Sequence, residues 1–329
     1  MEKLNSGSMK KFLLPLFILS QLIICGCAQN DELPMKAPRG FSNETFLKMA
    51  YALRFLDLIE TKLTVPENIE VFKDIVYKQV DSVSLKLDVY KLKTLKTATP
   101  ALVFIHGGSW SKGNKSDYLP YLIDYANKGY VTVTISYRLS GIAPFPAAVQ
   151  DVKCAVQWIR AHSKEYMINP DKIAVIGGSA GGHLAMMLAY SDNSEFNSEC
   201  SDSINYKVQA VVDLYGPADL TTEYARNRGE CLHFLGKSYQ EDPNVYKVAS
   251  PRTYISSDDP PTLIFHGTID SLVPISQSDS LHNWLDHAGV PNEYHKLKGW
   301  PHAMDMSKKV NNYCRFYMDL FFEKHLQID

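Results

Sequence analysis

Ser179, Asp270 and His302 stand in that order along a chain of 329 residues, and together they could perform nucleophilic catalysis. A serine hydroxyl is a poor nucleophile at neutral pH and needs a base to take its proton. The base must be oriented by a carboxylate, and fixed donors must meet the oxyanion that develops. The stretch Ala174–Leu184 has the form such a serine requires. A short apolar run stops at two glycines, Ser179 follows among small residues, and an alanine- and leucine-rich segment comes next. That reads as strand, very tight turn and helix, with one hydroxyl at the apex. Gly177-Gly178-Ser179-Ala180-Gly181 satisfies the G-x-S-x-G elbow pattern. Five residues can match by chance, so the remaining parts must be found where the elbow demands them.

The acid and base should follow the nucleophile on loops after later strands. Asp270 comes just beyond an apolar strand, in the loop Gly267-Thr268-Ile269-Asp270. A turn or cap carboxylate would look the same at that position. Asp213, at the end of the preceding strand, and Asp219 are its competitors. His302 lies in Lys298-Gly299-Trp300-Pro301-His302, between the last strand and the last helix, where the base belongs. His295 falls inside that strand, and His282 and His287 read as helix-surface residues. His183, one helical turn after Ser179, is expected to pack beneath the elbow. For the oxyanion, Ile105-His106-Gly107-Gly108-Ser109-Trp110 follows the first central strand. Its glycines let backbone N–H groups approach a negative oxygen. Gly107, Gly108 and Ser109 compete for that role, with the amide of Ala180 as a further donor.

These loops need a sheet to carry them. Ala101–Ile105 is a continuous apolar strand of the kind buried on both faces of a parallel sheet. Strands are expected at Tyr130–Tyr137, Ile173–Ile176, Val208–Leu214, Thr262–Phe265 and Glu293–Leu297, with helices at Phe145–His162, Ser276–His287 and Lys308–His325. Alternation of this kind defines an α/β domain with a mostly parallel sheet and helices on both faces. Ile69–Val80 and Ser82–Leu92 form an antiparallel hairpin at one edge. Two polar insertions interrupt the alternation. Ser191–Lys207 should hang at the N-terminal end of the sheet. Thr221–Pro260 should cover the C-terminal ends, where ligands bind, as a small lid. Asn43–Glu60 reads as a helix with Phe46, Met49, Ala50, Leu53 and Leu56 on one face.

Residues 1–28 read as a secretory signal, 29–65 as a tether and N-terminal helix, and 66–329 as the catalytic domain. Lys10-Lys11 precede the apolar run Phe12–Ile24, which ends at Cys25-Gly26-Cys27-Ala28. Ile24-Cys25-Gly26-Cys27 is similar to a bacterial lipobox with Cys27 as the lipidated residue, while Gly26-Cys27-Ala28 would also suit release of a soluble chain at Gln29. The chain is therefore expected to be exported, periplasmic or membrane-anchored. A net charge of −2 with scattered Lys and Arg gives no reason to expect nucleic acid as a partner. No His/Cys cluster has zinc spacing, so no metal is expected. Of the cysteines past the signal, Cys154 and Cys314 fall on apolar helix faces, where a buried free thiol is expected. Cys200 and Cys231 sit on loops at opposite ends of the sheet, which argues against their pairing.

The combination of His106-Gly107-Gly108-Ser109-Trp110 with Gly177-Gly178-Ser179-Ala180-Gly181-Gly182 resembles the α/β-hydrolase superfamily, on its hormone-sensitive-lipase-like esterase side. Tyr137-Arg138-Leu139, Pro144-Phe145-Pro146-Ala147-Ala148, Asp151 and Asn169-Pro170-Asp171-Lys172-Ile173 extend the likeness. Gly178, where hormone-sensitive-lipase-like enzymes usually carry Asp, resembles instead the acetyl-xylan and feruloyl esterase-like group labelled BD-FAE. The resemblance implies the α/β-hydrolase fold, no cofactor, and an ester substrate linked to plant-wall carbohydrate. Trp110, Tyr137, Tyr215 and Trp300 are candidate pocket aromatics. Prolyl-oligopeptidase-type peptidases share this C-terminal logic but carry a large β-propeller, for which the about 70 residues after the signal are too few at ~40 residues per blade. A glycan-binding surface lipoprotein that kept the fold without catalysis is the non-enzymatic alternative.

Overall fold

The strands at the centre of the sheet carry apolar side chains that only burial on both faces can satisfy, whereas the last strand, at the edge, is largely polar. In a computed structural model of the chain, which describes residues 34–328 except 192–195, 197–199, 201 and 202, they form one eight-stranded sheet. The signal segment and Cys27 lie outside the described residues. The strands are β1 (Ile69–Val80), β2 (Val83–Leu92), β3 (Thr99–Ile105), β4 (Val131–Ile135), β5 (Ile168–Gly178), β6 (Ala210–Leu214), β7 (Thr262–Gly267) and β8 (Asn292–Leu297). Their spatial order is β1-β2-β4-β3-β5-β6-β7-β8. The expected hairpin pairs antiparallel at the edge, β2 pairs antiparallel with β4, and all later neighbours are parallel. β5, which ends in the elbow, is central, between β3 and β6.

Helices cover both faces. Within the main body they are α1 (Glu44–Ala52), α2 (Leu119–Asn127), α3 (Ala147–Ala161), α4 (Ser163–Tyr166) and α5 (Ala180–Tyr190). The insertion after β6 adds α6 (Glu223–Arg226), α7 (Gly229–Leu235) and α8 (Pro243–Val248), and α9 (Ser276–Ala288) and α10 (Lys308–His325) complete the set. One apolar cluster joins α3 and α5 to the sheet through Val152, Val156, Leu184 and Val175. The other joins α2 and α10 to its opposite face through Leu122, Phe104, Phe265 and Phe321. Asp151 on α3 anchors the loop after β4. It accepts from the Arg138 backbone and guanidinium at 2.8–2.9 Å and from Lys78 at 3.0 Å.

Three features differ from the sequence expectations. The N-terminal helix is shorter than Asn43–Glu60: it starts from an Asn43 cap but stops at Ala52, and Ala50 is its buried residue. The chain turns at Arg54, φ 57°, because backbone partners elsewhere compete with the helix. Ile59 N–H bonds to Met306 and Lys308 N–H to Asp57, and Leu58 bridges Ser307. Phe46, Met49 and Leu53 consequently stay exposed. Residues 38–41, read in sequence within a tether, are held against the loop of His302. Gly40 and Phe41 N–H groups bond to Lys298 and Gly299, and the Trp300 indole donates to Pro38.

Cys154 is not a free thiol but is joined to Cys200, with Cα atoms 5.6 Å apart. Periodicity placed Cys154 on the buried face of α3 correctly, but the loop that brings Cys200 over that face leaves no periodic signal. Cys231 and Cys314 are buried and free. Peptide mapping without reduction is expected to recover Cys154 and Cys200 as one linked peptide, with Cys231 and Cys314 alkylated only after unfolding. Cross-linking across 46 residues corresponds to about 4 kcal/mol in the chain-entropy account, so reduction should lower the unfolding free energy by up to that amount.

Candidate active site

The elbow is built by close backbone approach. Ser179 has φ 57° and ψ −123°, outside helix and strand, with its N–H spent on Leu214 O at 2.8 Å. A Cβ at Gly181 would lie 2.1 Å from Ile105 O, so α5 can start this close to β3 only with glycine there. The turn lifts the Ser179 hydroxyl above the sheet, while Ala180 becomes the first residue of α5, where helical N–H groups have no intrahelical acceptor.

Loops after β7 and β8 bring the other two side chains to it. His302 Nε2 lies 2.9 Å from Ser179 Oγ, and His302 Nδ1 lies 2.6 Å from Asp270 Oδ2. With Nδ1–H donated to the carboxylate, Nε2 is free to accept from the serine. Asp270 Oδ1 accepts from the Leu272 and Val273 N–H groups at 2.9 Å each. His266 Nε2 stands 3.2 Å from Oδ2. Burial would push the Asp270 carboxyl up, but hydrogen bonds from His266 and His302 outweigh it and bring it down to about 2. His266 itself is held by Ser278 Oγ at Nδ1 and Val273 O at Nε2. Sequence reasoning passed over His266, although its position one residue before the end of β7 and four before Asp270 was a usable signal.

The competing residues go elsewhere. Asp213 is buried below the elbow, where Oδ1 accepts from Gly216 N–H at 2.9 Å, and burial pushes its carboxyl up to about 8. Asp219 forms an ion pair with Arg252 and caps Thr221. His295 stacks on Phe265 and meets the Tyr313 hydroxyl, His282 bonds to the Asn292 side chain at the start of β8, and His287 bonds within α9 to Asn283 O. His183 packs beneath the elbow as expected. Its Nδ1 accepts from the Trp110 indole at 3.1 Å and its Nε2 donates to Ala249 O at 2.7 Å. One ring nitrogen faces a donor and the other an acceptor, so the neutral imidazole alone satisfies both.

Ser179 and His302 line two adjoining hollows. One, of about 470 Å³, carries Gly107, Gly108, Tyr118, Tyr121, Tyr215 and Asp305. The other, of about 250 Å³, carries Trp110, Ala180 and the lid residues Tyr224, Arg228 and Cys231. Gly107, Gly108, Ser109 and Ala180, the candidates for meeting an oxyanion, thus stand around Ser179. Gly108, Ser109 and Trp110 all have positive φ, which curls the loop over the end of β3. Of the candidate aromatics, Tyr215 and Trp110 border these hollows. Tyr137 and Trp300 are structural: the Tyr137 hydroxyl donates to His106 O, and Trp300 packs on Phe41. Among the described residues no group of His, Cys, Asp and Glu is arranged to hold a metal.

A central parallel sheet flanked by helices, with a serine elbow at the end of its middle strand and the acid and histidine on later loops, defines an α/β-hydrolase. The chain belongs to the BD-FAE family, whose model matches residues 87–285. It is 34% identical over 236 residues to the esterase LipQ of Mycobacterium tuberculosis, a match covering 69% of this chain and 56% of LipQ. The chain therefore spans about half the length of the curated relatives it matches. An esterase of the planctomycete Thermogutta terrifontis superposes with a TM-score of 0.67 at 28% identity, covering 78% of this chain and 92% of that one. A truncated carbohydrate esterase from gut microbiota does so with a TM-score of 0.67 at 27% identity, covering 80% and 98%.

Burial holds the His183 imidazole down at about 4, against an ordinary 6.5. Because the folded value is the lower one, protons favour the unfolded chain. The contribution is complete above pH 6.5 and is lost as the pH falls to about 4, amounting to about 3 kcal/mol. Denaturant unfolding at pH 7 and pH 4.5 is expected to show this loss, and His183→Asn should flatten the slope across that window.

Proposed function

We propose that the chain is a serine carboxylesterase. The observation that carries this reading is the unbroken contact from Ser179 through His302 to Asp270, at 2.9 and 2.6 Å, beside an open cleft. His302 Nε2 takes the Ser179 proton as the hydroxyl attacks an ester carbonyl, and Asp270 holds the imidazole in the required tautomer. N–H groups of Gly107 or Gly108 and of Ala180 stabilise the oxyanion. His302 then protonates the departing alcohol, and a water activated by the same nitrogen releases the acid from Ser179. The cycle moves only protons and an acyl group and needs no cofactor.

For the substrate we infer acetyl or feruloyl esters of plant-wall polysaccharide such as xylan. The resemblance of the elbow to the acetyl-xylan and feruloyl esterase-like group and the likeness to a carbohydrate esterase of gut microbiota support that choice. Export, with lipid attachment at Cys27 and membrane anchoring through it, completes the reading and rests on the lipobox-like sequence.

Ser179→Ala is expected to lower turnover of p-nitrophenyl acetate by roughly 10⁴-fold or more. Methyl ferulate and acetylated xylan should be cleaved by the native enzyme and a proline dipeptide anilide should not. Ester hydrolysis indifferent to Ser179→Ala would remove the mechanism, and cleavage of the anilide alone would favour a peptidase. Mass analysis of the mature N-terminus is expected to find a lipid-modified Cys27, whereas an unmodified start at Gln29 would refute the anchor.

A further inference from the structure

Gly178, the residue before the nucleophile, is small for a reason outside the elbow. A Cβ there would come within 2.6 Å of the Tyr118 hydroxyl and 3.1 Å of the Tyr215 hydroxyl. Phenols thus crowd the place where other esterases of this superfamily carry a side chain. Tyr215 donates to Asp305 Oδ1 at 2.5 Å, and Tyr121 donates to Oδ2 at 3.3 Å. Asp305 is buried, yet it borders the same cleft as Ser179 and His302. The Tyr215 ring also meets the His302 imidazole edge-on at 4.7 Å.

This wall has a definite polarity. The Tyr215 and Tyr121 protons are committed to the carboxyl and the Asp305 backbone N–H is a third donor, and because the two oxygens together offer about four acceptor positions, acceptor capacity remains. Burial pushes the Asp305 carboxyl up while the Tyr215 and Tyr121 hydroxyls pull it down, leaving it above its ordinary value. In either protonation state it keeps acceptor capacity. An alkyl group pressed against it would displace water without replacing its hydrogen bonds, which is costly, whereas a hydroxyl would replace them. Nothing in the hydrolytic cycle uses this group.

We propose that Asp305, held in place by Tyr215 and Tyr121, is a specificity-determining anchor that accepts a hydrogen bond from a hydroxyl of the ester bound at Ser179. Esters of polyols, including partially acylated sugars, are thereby favoured over alkyl esters of the same size. The proposal rests on the esterase reading and names a feature of its substrate.

A matched pair that differs by one hydroxyl tests it: trans-1,2-cyclohexanediol monoacetate against cyclohexyl acetate. The native enzyme is expected to favour the diol ester in kcat/KM by roughly tenfold or more. Asp305→Asn and Tyr121→Phe should each reduce that ratio severalfold. A purely structural role would lower both esters together and leave the ratio unmoved. Tyr121→Phe removes a single oxygen and keeps the test available if Asp305→Asn folds poorly. Absence of a preference in the native enzyme, failure to turn over the diol ester, or a ratio preserved in both variants would overturn the anchor. Turnover surviving Ser179→Ala would instead overturn the esterase reading itself.

Discussion

The site depends on one backbone constraint, the positive-φ conformation of Ser179 where β5 meets α5. A non-glycine residue is strained there and persists only if its surroundings over-determine it. They do so from three sides. The Ser179 N–H is tied to Leu214, Gly181 presses on Ile105 O, and α5 is buried along nearly its whole length. The strain fixes the direction of one hydroxyl. Because β5 is central, loops from β3, β6, β7 and β8 can all reach that hydroxyl.

Around this point, buried polar groups are settled as charged or neutral by their partners. Asp270 is kept ionised by two backbone N–H groups and two histidines. His183 is kept neutral by a donor on one nitrogen and an acceptor on the other. Through Trp110 and Ala249, that neutral ring ties the loop after β3 to the lid segment beneath α5. The lid and the loop are therefore referred to one fixed ring, an arrangement suited to a preorganised site. Asp213, close in sequence terms to the position of a triad acid, has no cation beside it among the described residues, and burial raises its carboxyl. Asp213 in β6 and Asp270 in the loop after β7 thus have opposite electrostatic character, decided by burial and by the donors beside each.

Much of this was legible in the chain itself. The continuous apolar run Ala101–Ile105 announces a strand buried on two faces, because no other placement satisfies it. Gly177–Gly182 announces the elbow, because only small residues allow the approach. The order of Ser179, Asp270 and His302, each just beyond a strand, identifies the loops that meet at one edge of a parallel sheet. Local pattern also placed Cys314 in the core, since helical periodicity along α10 is a property of neighbouring residues.

What sequence alone could not supply were pairings between distant segments. The Cys154–Cys200 bond, the early end of α1, the seating of Gly40 and Phe41 on the His302 loop, and the support of Asp270 by His266 all arise from packing. So does the group formed by Tyr121, Tyr215 and Asp305, whose members lie up to 184 residues apart. Sequence by itself determined the fold class and the order of the candidate catalytic side chains, since periodicity and glycine placement act over a few residues. Only tertiary structure decided which polar groups face each other across the cleft. Their positions depend on how helices and loops settle on the sheet, and no local repeat encodes that.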